Sequence, residues 1–174
     1  MNKYTLILLL NIASDAVCIA QNKYVLTGRD KMNYILSMNQ QQVNKAITAG
    51  HNNNGYVQAV IPVKLTNNSS DTLKYISMTC DWQFAYQTDN KYIKVPSVQC
   101  YTNFDIVNKI PPQQSVVVNI PVSIEKKGAL KAVFRMSMYL KRYVDKKDKG
   151  FPNRSEMNKA NFIWSNGVGV PVLE

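Results

Sequence analysis

Apolar and polar residues alternate along four stretches of the chain. In residues 56–65 the apolar parity is Val57, Ala59, Ile61, Val63 and Leu65. In residues 73–86 it is Ile76, Met78, Cys80, Trp82, Phe84 and Tyr86, with Tyr75, Ser77, Thr79, Asp81 and Gln83 opposite. In residues 115–124 it is Val116, Val118, Ile120, Val122 and Ile124. In residues 129–143 it is Leu130, Ala132, Phe134, Met136, Met138 and Leu140, facing Lys131, Arg135, Ser137 and Lys141. A period of two marks a strand with one buried face, because successive side chains of a pleated chain point to opposite sides. No stretch of helical period competes with these four.

Turn chemistry separates them. Asn67-Asn68-Ser69-Ser70-Asp71 joins the first two strands, and Asp89-Asn90 suits a tight return into residues 92–95. Pro111-Pro112-Gln113-Gln114 precedes the third strand, and Lys126-Lys127-Gly128 turns it into the fourth. Pro62 and Pro121 fall on the outward parity, so each strand is expected to be an edge or bulged there. Residues 34–38 read as an early strand, 39–45 as a short helix or loop, and 143–161 as a long, charged, exposed hairpin loop. Phe162-Ile163-Trp164 and residues 168–173 then close the domain. Short strands joined by polar turns indicate an all-β antiparallel sandwich.

The first twenty residues change the picture of where this domain works. Lys3 precedes a mostly apolar run over residues 5–13, and Cys18-Ile19-Ala20 sets small residues before Gln21. That is the pattern of a cleaved secretory signal, and the run is far shorter than the ~20 residues of a membrane-spanning helix. Asp15 disfavours lipidation at Cys18. The organisation expected is a signal peptide over 1–20, an N-terminal segment of strand or loop over 21–55, and a β-sandwich domain over 56–174. The product is expected to be secreted or periplasmic, without a membrane span.

Export also assigns the cysteines. Cleavage after Ala20 removes Cys18 and leaves Cys80 and Cys100, which in an oxidising compartment read as one disulfide. Such a closure stabilises by roughly 3 kcal/mol in the chain-entropy model. The metal alternative lacks ligands: zinc takes four, and the chain has a single histidine, His51, in a Gly/Asn-rich connection. A reactive thiolate needs an electropositive, accessible setting, and nothing in the sequence places Lys91 or Lys94 beside the sulfur.

Formal net charge is +10, to which the signal segment adds nothing because Lys3 offsets Asp15. A basic exported protein is drawn to anionic surfaces: acidic polysaccharide, lipopolysaccharide phosphate, or anionic membrane. Nucleic acid is disfavoured outside the cell. The densest positive run follows the fourth strand and comprises Lys141, Arg142, Lys146, Lys147, Lys149 and Arg154, with Tyr139 and Tyr143 beside it. These eight residues are the candidate ligand-binding set. Tyr56, Tyr75, Tyr139 and Tyr143 all fall on outward parities, where aromatic rings stack on sugars or anchor a partner.

Catalysis is disfavoured. No Gly-x-Ser-x-Gly, His-Glu-x-x-His or phosphate-loop pattern occurs. Asp71, Asp89, Asp145, Asp148 and Glu156 sit in turns or the charged loop, not as a carboxylate pair across a sugar. No cofactor is called for.

The runs LTNNSSDTLKYISMTCDWQFAYQTDNKYIKV and VQCYTNFDIVNKIPPQQSVVVNIPVSI resemble small secreted proteins of unassigned function from Gram-negative gut-type anaerobes. The shared features are Asn-Asn-Ser, Ser-Met-x-Cys-x-Trp, Thr-Asp-Asn-Lys and a second Cys, covering residues 57–124. The resemblance implies an exported immunoglobulin-like sandwich and supplies no activity. The function expected is therefore non-catalytic capture of an anionic glycan or acidic partner at the cell envelope. The alternative is a structural subunit or protein inhibitor that uses an exposed sheet edge.

Overall fold

The computed structural model describes residues 25–97, 102–129, 132–144 and 150–172. These are mostly strands in antiparallel sheets, with few helices. The largest sheet is built on β3 (Tyr56–Asn67) and β8 (Ser115–Glu125), which pair without interruption from Tyr56↔Glu125 to Thr66↔Ser115. β1 (Tyr34–Ser37) and β2 (His51–Asn53) lie end to end along the other edge of β3, at its two ends, and β6 (Ile93–Lys94) pairs with the end of β8. The alternation of β3 emerges as read: Val57, Ala59, Ile61, Val63 and Leu65 are all buried. In β8 it is complete only from Ile120 onward: Val118 is half-buried against the core and Val116 is exposed.

The prolines sit where the ladder has nothing to lose. β1 covers β3 only from Lys64 and β2 only to Gln58, so Pro62 faces a gap between them. Pro121 lies beyond the last residue of β8 that β6 reaches, Ser123. Each strand is thus a local edge at its proline, which is the one place a missing N–H costs no sheet hydrogen bond.

The second and fourth predicted strands are each broken. Residues 73–86 form β4 (Leu73–Met78) and β5 (Tyr86–Thr88), separated by an excursion through a 3-10 turn at Trp82–Ala85. Asp81, at φ 56°, turns the chain out of the ladder there. Residues 129–143 form β9 (Val133–Phe134), β10 (Met136–Tyr139) and β11 (Lys141–Arg142). The two stretches still meet: β10 pairs β5 and β11 pairs β4. β7 (Asp105–Ile110) lies on the other side of β4, β12 (Phe162–Trp164) on the other side of β10, and β13 (Val168–Gly169) pairs β9.

Several of the predicted turns pass from one sheet to another. β3 leads to β4 and β7 leads to β8 through residues 67–72 and 111–114, and Asn67 braces both crossings. Its buried amide nitrogen donates to the carbonyls of Asp71 (2.7 Å), Ile110 (2.9 Å) and Pro111 (3.2 Å). Its oxygen accepts from the Ser69 N–H and hydroxyl. The Asp89-Asn90 turn carries β5 not back on itself but to β6 in the large sheet. The 143–161 segment does connect antiparallel neighbours, since β10 pairs β12 with Tyr139 opposite Phe162 and the Leu140 N–H donates to the Asn161 carbonyl, while β11 leaves that ladder to pair β4.

Among the described residues three short helices complete the fold: α1 (Gly28–Asn33), α2 (Gln40–Thr48) and α3 (Lys126–Ala129). Asn39 caps α2 by accepting from the Gln42 N–H, and Val43 and Ile47 carry it into the core. Gly50 ends it against β3, where a Cβ would stand 2.6 Å from Val57 Cγ1. The stretch before residue 56 joins the same core, through Leu26, Tyr34, Leu36, Met38, Val43 and Ile47. His51 is exposed as expected but lies in a strand, because Asn54 and Gly55, both at positive φ, make a two-residue hairpin turn into β3.

Candidate functional site

The five described members of the candidate binding set do not share one exposed surface. Tyr139, placed outward by parity, is buried; it packs edge-on against Phe151 and Phe162, and its hydroxyl accepts from Asn161 Nδ2. Lys141 is also buried, with Nζ donating to the Gly150 carbonyl at 2.6 Å. Arg142 donates to Asp30 Oδ1 at 2.8 Å and covers the Tyr34 ring, so it fastens α1 to β11. Asp30 in turn closes the Thr27 capping box of α1. Tyr143 is half-buried, and Lys146, Lys147 and Lys149 lie outside the described residues. Tyr75 is buried as well, its hydroxyl pKa pushed up by that burial.

Arg154 is placed differently. A 3-10 turn, Arg154–Glu156, is capped by Asn153, whose side chain accepts from the Ser155 and Glu156 N–H groups while Glu156 accepts from the Asn153 N–H. This fixes the guanidinium 5.7 Å from the centre of the Phe84 ring. Phe84 is presented by the same 3-10 turn that breaks the predicted strand. Trp82, expected inside, is only half-buried there and meets Tyr86 edge-on at 5.8 Å.

Arg154, Phe84, Tyr86, Gln87, Val95 and Ser97 line a cleft of about 210 Å³. A shallower depression of about 550 Å³ adjoins it across Tyr86, Gln87 and Val95, and brings in Lys91 and Lys94. Lys91 Nζ sits 4.8 Å from the Tyr92 ring centre. Three cations therefore border this pair of adjoining depressions, a groove lined in common by Tyr86, Gln87 and Val95 that also offers an amide, a hydroxyl and aromatic edges. The groove was not legible from the sequence, because it depends on the 82–85 turn meeting residues 154–156 from the far end of the chain.

Asp89 also lines the depression, but its charge is already answered. Both carboxylate oxygens bond to Arg135, one to its N–H at 2.7 Å and one to Nε at 2.8 Å. Partial burial alone would raise the carboxyl, but these bonds and the guanidinium charge outweigh it and hold the pKa below its usual value. A depressed carboxyl contributes stability above its unfolded pKa of ~4, and that contribution is lost as pH falls through the folded value. The pair is half exposed, so it is worth under ~1 kcal/mol. Asp89→Asn is expected to leave unfolding below pH 3 unchanged and to lower stability slightly at pH 7, in urea titrations at the two pH values.

Cys80 is disulfide-bonded; Cys100 lies outside the described residues. Among the described residues no cluster of three His, Cys, Asp or Glu side chains is arranged to hold a metal, and no helix is long and apolar enough to cross a membrane. No protein-family model and no curated protein matches the chain.

Proposed function

We propose that this is an exported, non-catalytic binding protein that captures an anionic glycan or acidic partner at the cell envelope, secreted or periplasmic after cleavage at Ala20. In this reading the antiparallel sheets make an immunoglobulin-like sandwich closed by a Cys80–Cys100 disulfide, of the kind the secreted proteins it resembles imply. The observation that carries the functional reading is the groove bordered by Arg154, Lys91 and Lys94 in a chain of net charge +10. A guanidinium held beside an aromatic ring suits a carboxylated sugar, whose charge meets the cation and whose C–H face meets the ring. The net charge raises the encounter rate, while the groove supplies the specificity.

The test is calorimetric titration with polygalacturonate and with neutral dextran. The acidic polymer is expected to bind and the neutral one not. Arg154→Glu weakens binding about tenfold, equivalent to ~1.4 kcal/mol. Lys45→Glu, which makes the same change in net charge on exposed α2, changes it less than threefold. Equal binding of both polymers, or equal losses in the two variants, would show that the groove is not the site.

A second reading, a structural subunit or protein inhibitor acting through a sheet edge, is favoured by one feature. β8 extends well past the end of β6, and the main chain of its first half has a strand partner on one side only among the described residues.

A further inference from the structure

The register of β8 says which of its main-chain groups face the open side. Asn67 N–H donates to the Gln114 carbonyl at 2.9 Å, in line with the β3–β8 register, so residues 114, 116, 118 and onward in steps of two bond to β3. Antiparallel pairs alternate, so Ser115, Val117, Asn119, Pro121 and Ser123 turn their N–H and C=O groups away from β3. At the far end this lane is filled, with Ser123 opposite Lys94 and Glu125 N–H donating to the Tyr92 carbonyl. Two residues further on, the same register sets Pro96 against Pro121, and neither has an N–H to donate. The ladder stops there for that reason, leaving the lane beside Ser115, Val117 and Asn119 without a strand among the described residues.

The side chains record the same vacancy. Ile120, Val122 and Ile124 are fully buried, whereas Val116, on the same inward parity, is 37% exposed. Val117, on the outward face, is 55% exposed and lies opposite Lys64. Lys94 stands at the closed end of the lane.

We infer that this lane takes an extended segment of a partner protein, added antiparallel or parallel to β8, with apolar residues opposite Val116 and Val118 and acidic residues on the outward parity. This rests on the second reading above and names its site and partner chemistry. Main-chain hydrogen bonds supply affinity and the alternate side chains supply selectivity, as in strand addition generally. Lys64, Lys94 and the net charge of +10 favour an acidic segment and oppose a second copy of this chain.

The experiment measures amide hydrogen exchange at Ser115, Val117 and Asn119 in the full chain by NMR. Two capped heptapeptides serve as probes, one alternating valine with glutamate and the other valine with lysine. The glutamate peptide is expected to slow exchange at these three amides at least tenfold, and the lysine peptide not. Val117→Pro removes one donor from the lane and none from the β3 ladder, as Pro121 already does; it abolishes the effect while β3 amides stay protected. Lys64→Glu lessens the preference for the glutamate peptide without loss of fold. Equal protection by both peptides would overturn the acidic partner and leave edge engagement standing. No protection by either would overturn both. Protection already present without peptide, whether independent of protein concentration or rising with it as the mass doubles, would mean that the chain itself or a second copy fills the lane, and would overturn the inference.

Discussion

Phe134→Ala costs this fold about 3–5 kcal/mol, the range for deleting a fully buried aromatic ring. Phe134 has no exposed surface and sits in β9, opposite Val168 of β13. Its neighbour Val133, in the same two-residue strand, is 67% exposed. Val133→Ala is therefore expected to change stability by less than ~0.5 kcal/mol. Urea unfolding under non-reducing conditions checks both: the Phe134→Ala midpoint falls by about 2 M, for a slope of roughly 2 kcal/mol per M, while that of Val133→Ala hardly moves. Equal shifts would mean that β9 is not packed as described.

The second large effect belongs to Asn67. Alanine at this position strips the amide donor from three carbonyls and the acceptor from Ser69, at a buried corner that joins both sheet crossings. Each buried group left unpaired costs ~1–3 kcal/mol, and water enters to satisfy some of them, so a net loss of about 3 kcal/mol is expected. Asn67→Asp separates donor from acceptor. It keeps the oxygen that Ser69 uses but turns a carboxylate toward carbonyl oxygens. It should be at least as destabilising at pH 7 and recover part of the loss near pH 4, where the carboxyl regains a proton to donate. Thermal unfolding of Asn67→Asp at the two pH values is the check, and a pH-independent loss would contradict the donor role.

How much of this was readable in the sequence depends on how far each element's environment is set by its own residues. β3 was legible because one face of the whole strand meets the core, so Val57 through Leu65 alternate without exception. β8 follows the same rule fully only from Ile120 to Ile124; before that its inward valines emerge where no strand among the described residues lies in the neighbouring lane. The 73–86 stretch alternates in sequence across a point where the backbone does not continue, since Asp81 at positive φ redirects the chain. Periodicity cannot report such a turn. An Asp before an aromatic in a strand pattern is a weak signal of it at most. The Asn54-Gly55 hairpin, by contrast, was available from the dipeptide alone.

The candidate site shows the same limit. A run of cations in sequence says that charge is dense, not that it faces one way. Lys141 and Arg142 are adjacent, yet one is buried against the Gly150 carbonyl and the other fastens α1 through Asp30. Arg154 joined the groove because residues 82–85 met it, which is a tertiary fact. The disagreement between the sequence parity and the buried Tyr75 and Tyr139 has a single origin. β4 is covered on both faces at Tyr75 and Ile76, and β10 along its whole length, with all four residues buried. In a strand buried on both faces, polarity no longer reports direction.

The measurement that bears most directly on anionic capture is the salt dependence of binding to an acidic polysaccharide. Exposed charges lose reach as the screening length falls from ~30 Å at 0.01 M to ~10 Å at 0.1 M ionic strength. With polygalacturonate titrated into the chain across that interval, the Kd is expected to rise at least tenfold, and by less in Arg154→Glu, which has one cation fewer in the groove. A Kd that stays flat with salt, in the original chain and the variant alike, would contradict charge capture.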